Sequence, residues 1–125
     1  MTDRELYQAA VAAREKAYAP FSGFAVGAAV LTASGNIYTG CNIENSSFGL
    51  TCCAERVAIF NAVSKGERDF EVLCVVADTA EPVAPCGACR QVAAEFGVRR
   101  VLLGNLSGAV KEFSLQELLP YGFSL

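Results

Sequence analysis

Residues 72–104, VLCVVADTAEPVAPCGACRQVAAEFGVRRVLLG, decide the fold. The stretch opens on a continuous apolar run, VLCVVA (72–77), and closes on another, RVLLG (100–104). A half-exposed strand alternates in polarity, whereas a strand apolar at every position is covered on both faces. Between the runs lie a loop, TAEPVAP (79–85), and a helix expected from about Cys86 to Gly97. Buried strands separated by a helix place the chain in the α/β class.

The same reading extends outward. FAVGAAVLT (24–32) and IYTGCNI (37–43) are β-rich and are joined by ASGN, a hairpin signal. A polar loop, ENSSFGL (44–50), leads into a helix that opens near Thr51–Cys53 and runs to Lys65, with Gly66 as its left-handed stop. At the N-terminus Thr2 and Glu5 form a capping box. Leu6, Ala9, Ala10, Ala13 and Ala17 line one face of a helix expected over 3–17. AVKEF (109–113) alternates like a sheet-edge strand, and Ser114 with Glu117 caps a last short helix that Pro120 terminates. The order α-β-β-α-β-α-β-β-α implies a mixed sheet with helices on both faces. No repeat, linker or low-complexity segment interrupts it, so residues 1–125 are expected to form a single domain.

Bulk properties narrow the function. The chain is 53% apolar and 18% charged, far from the disordered class, and part of that apolar surface is expected to be covered by partner subunits. Its net charge is −3, and no basic run exceeds the pair Arg99–Arg100. A polymeric nucleic-acid partner requires clustered positive charge and is therefore not expected. The start, MTDRELYQ, has no apolar core of a signal peptide, and no stretch is long and apolar enough for a membrane span. The expected location is the cytoplasm. The chain contains no histidine, which removes imidazole-activated nucleophiles.

Six cysteines stand at 41, 52, 53, 74, 86 and 89. Cys41 and Cys74 lie in strand-like runs and read as small buried hydrophobes. In PCGAC (85–89), Cys86 and Cys89 are three residues apart at a helix start and share a face. Pro85 fixes the entry, Gly87 permits close backbone approach, and the helix N-terminus favours thiolates. A lone CxxC is either a redox pair or half of a metal site. A third thiol at the mouth of the other helix, in TCCAER (51–56), favours the metal. Three thiolates leave zinc an open position, which is the catalytic rather than the structural arrangement. Cys53 fits as the ligand because Glu55, two residues on, can then flank the same water. Zinc deaminases in general pair a ligand-x-Glu motif with P-C-x-x-C, the glutamate not being a ligand. Three thiolates and Zn²⁺ sum to −1, so Arg56 is expected to donate to ligand sulfurs, the alternative being a surface salt bridge. The alternative for Glu55 is a partner of the helix dipole.

With those motifs in place, FAVGAAV, CNIENSSFG, CCAERVAIFNAVSKG, PCGACRQV and LLPYGF together resemble the cytidine deaminases, in their small, homotetrameric, all-cysteine subgroup. The resemblance covers nearly the whole chain in order. It implies a three-layer α/β/α sandwich around a five-stranded mixed sheet, with one zinc per chain held by Cys53, Cys86 and Cys89. It also implies hydrolytic deamination of cytidine and 2′-deoxycytidine in pyrimidine salvage, with Glu55 as the proton carrier. Asn42 and Glu44 match positions that hold the ribose 3′-hydroxyl, and Phe24 an aromatic lining the base and sugar pocket. Ala54 lies at the helix mouth that holds the base edge. Phe123 matches a residue reaching a neighbouring subunit's site, and Gln91 one beside the metal. Phe48 departs from the tyrosine many members carry. Unaided, the alternatives are a turn residue for Asn42 and a solvated carboxylate for Glu44, while Phe24 reads more readily as core than as pocket. Three rivals remain: a deaminase of another aminopyrimidine nucleoside such as blasticidin S, a non-catalytic zinc-binding module and a thiol oxidoreductase.

Overall fold

The computed structural model describes residues 2–125. Its elements are α1 (Asp3–Arg14), β1 (Val26–Thr32), β2 (Ile37–Cys41), a 3₁₀ turn at Phe48–Leu50, α2 (Ala54–Ser64), β3 (Phe70–Ala77), α3 (Gly87–Glu95), β4 (Arg100–Asn105), β5 (Val110–Ser114) and α4 (Leu115–Leu118). The strands form one mixed sheet in the order β2-β1-β3-β4-β5. β1 runs antiparallel to both β2 and β3, β3 and β4 are parallel, and β5 closes the edge antiparallel to β4.

Period-2 alternation divides each central strand between two cores. Ala28, Val30, Leu73, Val75, Val101 and Leu103 pack under α2, α3 and α4. Ala29, Val72, Cys74, Val76 and Leu102 pack under α1 through Leu6 and Ala10. β3 is the middle strand and is covered on both sides, which explains its uninterrupted apolar run. The architecture is thus an α/β/α sandwich.

Both capping boxes are present, at Thr2/Glu5 and at Ser114/Glu117. Helix α1 stops at Arg14 rather than at residue 17, because the next amides bond three residues back instead of four, as in Ala17 N–H to Arg14 O. The chain is turned so that Tyr18 can pair with the segment beyond β2: its N–H donates to Asn42 O and its carbonyl accepts from Glu44 N–H. Strand β2 likewise ends at Cys41 rather than at 43, since Ile43 leaves the sheet to bridge Tyr18 and Cys52. Cys41, on that edge strand, is only half buried, whereas Cys74 is fully buried and its thiol pKa is pushed up to about 12 by desolvation.

Two glycines set how closely the helices approach the sheet. A β-carbon on Gly27 would overlap the Ala10 carbonyl oxygen, and one on Gly40 would overlap the Ala58 amide and lie 2.8 Å from the Ala54 carbonyl. Gly40 therefore seats the first turn of α2 directly on β2. Gly40→Ala is expected to cost about 1–3 kcal/mol of unfolding free energy, measured by denaturant titration, because the obstructing atoms are helix backbone. Gly87 faces open space, so the close backbone approach expected there does not occur within the chain.

Candidate active site

The helices α2 and α3 start side by side on the same face of the sheet. Their capping residues are Cys53 and Cys86, each extended (φ −71°, ψ 154° and φ −67°, ψ 165°), so both thiols stand at helix N-termini. The Cys86 sulfur accepts from the Cys89 amide at 3.4 Å, and Cys89 itself is buried one turn in. The sulfurs of Cys53, Cys86 and Cys89 all lie within 4.8 Å of one another. Cys53 and Cys86 are 3.8 Å apart and Cys86 and Cys89 are 3.3 Å apart. Zinc–sulfur bonds of about 2.3 Å at tetrahedral angles place sulfurs roughly 3.8 Å apart, so the trio fits zinc. All six cysteines are free, and Cys52 is not in the cluster; its backbone pairs with Ile43 instead.

Arg56 sits one turn into α2 and donates from its terminal nitrogen to the Cys53 sulfur at 3.5 Å. The Cys53 pKa is lowered, chiefly by the hydrogen bond it shares with the Cys89 thiol and further by Arg56. Cys89 is raised, by its hydrogen bond with the Cys53 sulfur and by desolvation. With zinc bound and all three thiols ionised, the Arg56 guanidinium would bring the total charge of the site to zero. Glu55 is 5% exposed, and burial raises its pKa.

A cavity of about 280 Å³ opens beside these groups. Cys53, Ala54, Glu55 and Cys86 line it together with Phe24, Asn42 and Glu44. Asn42 is 8% exposed, and both ends of its amide bond to the backbone, Nδ2 to Phe24 O at 2.7 Å and Oδ1 from Val26 N–H at 2.9 Å. It pins the lead into β1, keeping one donor and one lone pair for anything in the cavity. Glu44 accepts from the Phe21 and Ser22 amides at 2.9 and 3.1 Å and from the Ser22 hydroxyl, which lowers its pKa. Its first task is to hold the 21–22 loop against the cavity.

Phe123 and Gln91 do not line this cavity. Phe123 is 69% exposed, and its carbonyl accepts from Gln91 Nε2 at 3.4 Å. Sequence reading missed Arg90, whose guanidinium joins the carbonyls of Pro85 and Leu118. It also missed Ser22 and Thr51 as cavity walls. No spacing rule marks such residues, because their partners are distant in sequence.

Three converging cysteines with an open side, next to a buried glutamate that is not a ligand, define a hydrolytic zinc deaminase. Comparisons with known proteins narrow the class. Residues 1–105 match the family described as the cytidine and deoxycytidylate deaminase zinc-binding region. The cytidine deaminase of Halalkalibacterium halodurans is 54% identical over 125 residues, covering 98% of this chain and 95% of that protein. The cytidine deaminase of Sporosarcina psychrophila is 59% identical over 114 residues, covering 90% of this chain and 84% of that protein. The crystal structure of cytidine deaminase from Burkholderia pseudomallei superposes with a TM-score of 0.94 at 51% identity, covering 98% of this chain and all of that one. The chain belongs to the cytidine and deoxycytidylate deaminase family.

Proposed function

We propose that this chain hydrolyses the 4-amino group of cytidine and 2′-deoxycytidine, giving uridine or 2′-deoxyuridine and ammonia. One observation carries the reading: the buried Glu55, which interacts with Cys53 and Cys89 of the cysteine trio, lines the same cavity as Asn42 and Glu44. Cys53, Cys86 and Cys89 would hold the zinc, which as a Lewis acid makes a water nucleophilic near neutral pH. Glu55 takes a proton from the attacking water and passes it to N3 of the cytosine ring. It then takes the remaining proton of the oxygen that has added to C4 and delivers it to the amino group, so that the C4–N bond breaks, ammonia leaves and C4 becomes a carbonyl. Its burial keeps bulk water from competing for those protons. Arg56 draws charge from the Cys53 sulfur. The Ala54 backbone meets the base edge, Phe24 packs on the nucleoside, and the remaining capacity of Asn42 and Glu44 receives the ribose 3′-hydroxyl.

The cavity lining includes Glu44 and Glu55 but no lysine or arginine. That supports an uncharged nucleoside over a 5′-nucleotide, whose phosphate would meet carboxylates without a counter-charge. Protein purified without chelator is expected to hold one zinc per chain and to convert both nucleosides, followed by ultraviolet absorbance. Cytidine 5′-monophosphate should react about 100-fold less efficiently or worse. A zinc-loaded chain inert to both nucleosides would overturn the reading; turnover of blasticidin S alone would select that rival, and no turnover at all a binding module.

We also propose that residues 1–125 act as one catalytic domain, in the cytoplasm, within pyrimidine salvage. No helix among the described residues is long and apolar enough to cross a membrane. A homotetramer is the proposed assembly. Supporting it, Phe21, Phe48 and Leu50 are 51%, 73% and 70% exposed, and the exposed Phe123 does not line its own chain's cavity.

A further inference from the structure

The ligand Cys86 caps α3 on one side and joins an irregular segment on the other. Among the described residues, the stretch 79–85 makes no backbone–backbone hydrogen bond, and two of its members are prolines without an N–H. Cys86 is exposed, whereas Cys89, one turn into α3, is buried. The α3 cap therefore holds Cys86 on its helix side, and the peptide that precedes it depends on bonds outside secondary structure for its position.

Arg90 is placed to supply them. Its Nε donates to the Pro85 carbonyl at 2.8 Å, and a terminal nitrogen donates to the Leu118 carbonyl at 2.7 Å. Its own amide closes the first turn of α3 by donating to Cys86 O at 3.1 Å. The first bond fixes the peptide immediately before Cys86, and the second anchors that peptide to α4. A planar guanidinium can bridge two carbonyls in fixed directions, and a lysine ammonium cannot hold the same fork.

We propose that Arg90 is a positioning residue for the metal: by clamping the Pro85 carbonyl to α4, it holds Cys86 within ligand distance of Cys53 and Cys89. The inference rests on the zinc reading above. Arg90 touches no ligand sulfur, so it acts through the Pro85–Cys86 peptide and not through charge on the thiolates.

The test compares zinc release from wild type, Arg90→Lys and Arg100→Lys to a chromogenic chelator. Arg100 bonds Asp3 and Glu112 at the far edge of the sheet, so its variant controls for a general loss of stability. Arg90→Lys is expected to lose zinc affinity by about 10–100-fold, the usual effect of removing a partner that orients a metal site, and Arg100→Lys is expected to retain it. Cobalt-substituted Arg90→Lys should show altered thiolate-to-metal charge-transfer bands, which simple destabilisation does not produce. Unchanged zinc release and unchanged cobalt bands in Arg90→Lys would overturn the proposal. So would equal zinc loss in Arg100→Lys. If Arg90→Lys fails to fold, Arg90→Gln, which can still reach one carbonyl, takes its place with the same outcomes. A wild-type chain that binds no zinc would remove the metal reading itself; a zinc-loaded wild type beside an equally retentive variant would remove only the role of Arg90.

Discussion

Glu55→Gln is expected to keep one zinc per chain and to lose at least about 10²–10⁴-fold in turnover, the usual contribution of one positioned proton transfer. The amide matches the carboxylate in shape but cannot take up and release a proton. Glu55 serves two transfers in the proposed cycle, so the loss should fall on kcat, with the nucleoside KM little changed. The fold should tolerate the change. Glu55 is 5% exposed, and an amide costs less to bury there than a carboxylate, so the thermal midpoint should hold or rise. Steady-state kinetics with metal analysis and a melting curve measure all three quantities. Near-normal turnover in a zinc-loaded variant would return Glu55 to the role of helix-dipole partner.

Cys53→Ala is expected to reduce bound zinc to well below one per chain and turnover to background, whereas Cys52→Ala should keep both. The two residues are adjacent, so the pair tests geometry rather than composition. Cys53 belongs to the sulfur trio and Cys52 does not. Although Cys53 is the capping residue of α2, its side chain makes no capping hydrogen bond, so alanine removes a metal ligand without unfolding the helix. Losing one of three thiolates also leaves Arg56 without the sulfur it bonds. Zinc quantified after gel filtration, with circular dichroism to confirm the fold, decides the assignment. A zinc-depleted Cys52→Ala beside an intact Cys53→Ala would exchange their roles.

The element order was readable because each element carries a local signal. VLCVVA is apolar throughout because β3 is the central strand, and both capping boxes lie where a hydroxyl precedes a glutamate by three residues. The shortened end of α1 was not readable. It is set by the pairing of Tyr18 with residues 42–44, and helix propensity over 15–17 gives no hint of that. The chemistry of the candidate site was legible as residue types at helix starts, since i and i+3 spacing places Cys86 and Cys89 on one face. Asn42 and Glu44 were legible only as polar groups after a strand. Their bonds to Phe24, Val26, Phe21 and Ser22 depend on a loop that no periodicity describes.

By itself the sequence determined the α/β class, the two helix mouths and the donor set of three thiols with a neighbouring glutamate. All of these follow from local spacing and periodicity, which the chain carries wherever it is placed. Only the tertiary structure decided that the two mouths meet, with Cys53 3.8 Å from Cys86 across 33 residues. The sheet order β2-β1-β3-β4-β5, the close seat of α2 on Gly40 and the Arg90 clamp bring them there. These are contacts between segments distant in sequence. Packing and backbone hydrogen-bond satisfaction select them in the folded chain, and no window of the sequence contains both partners.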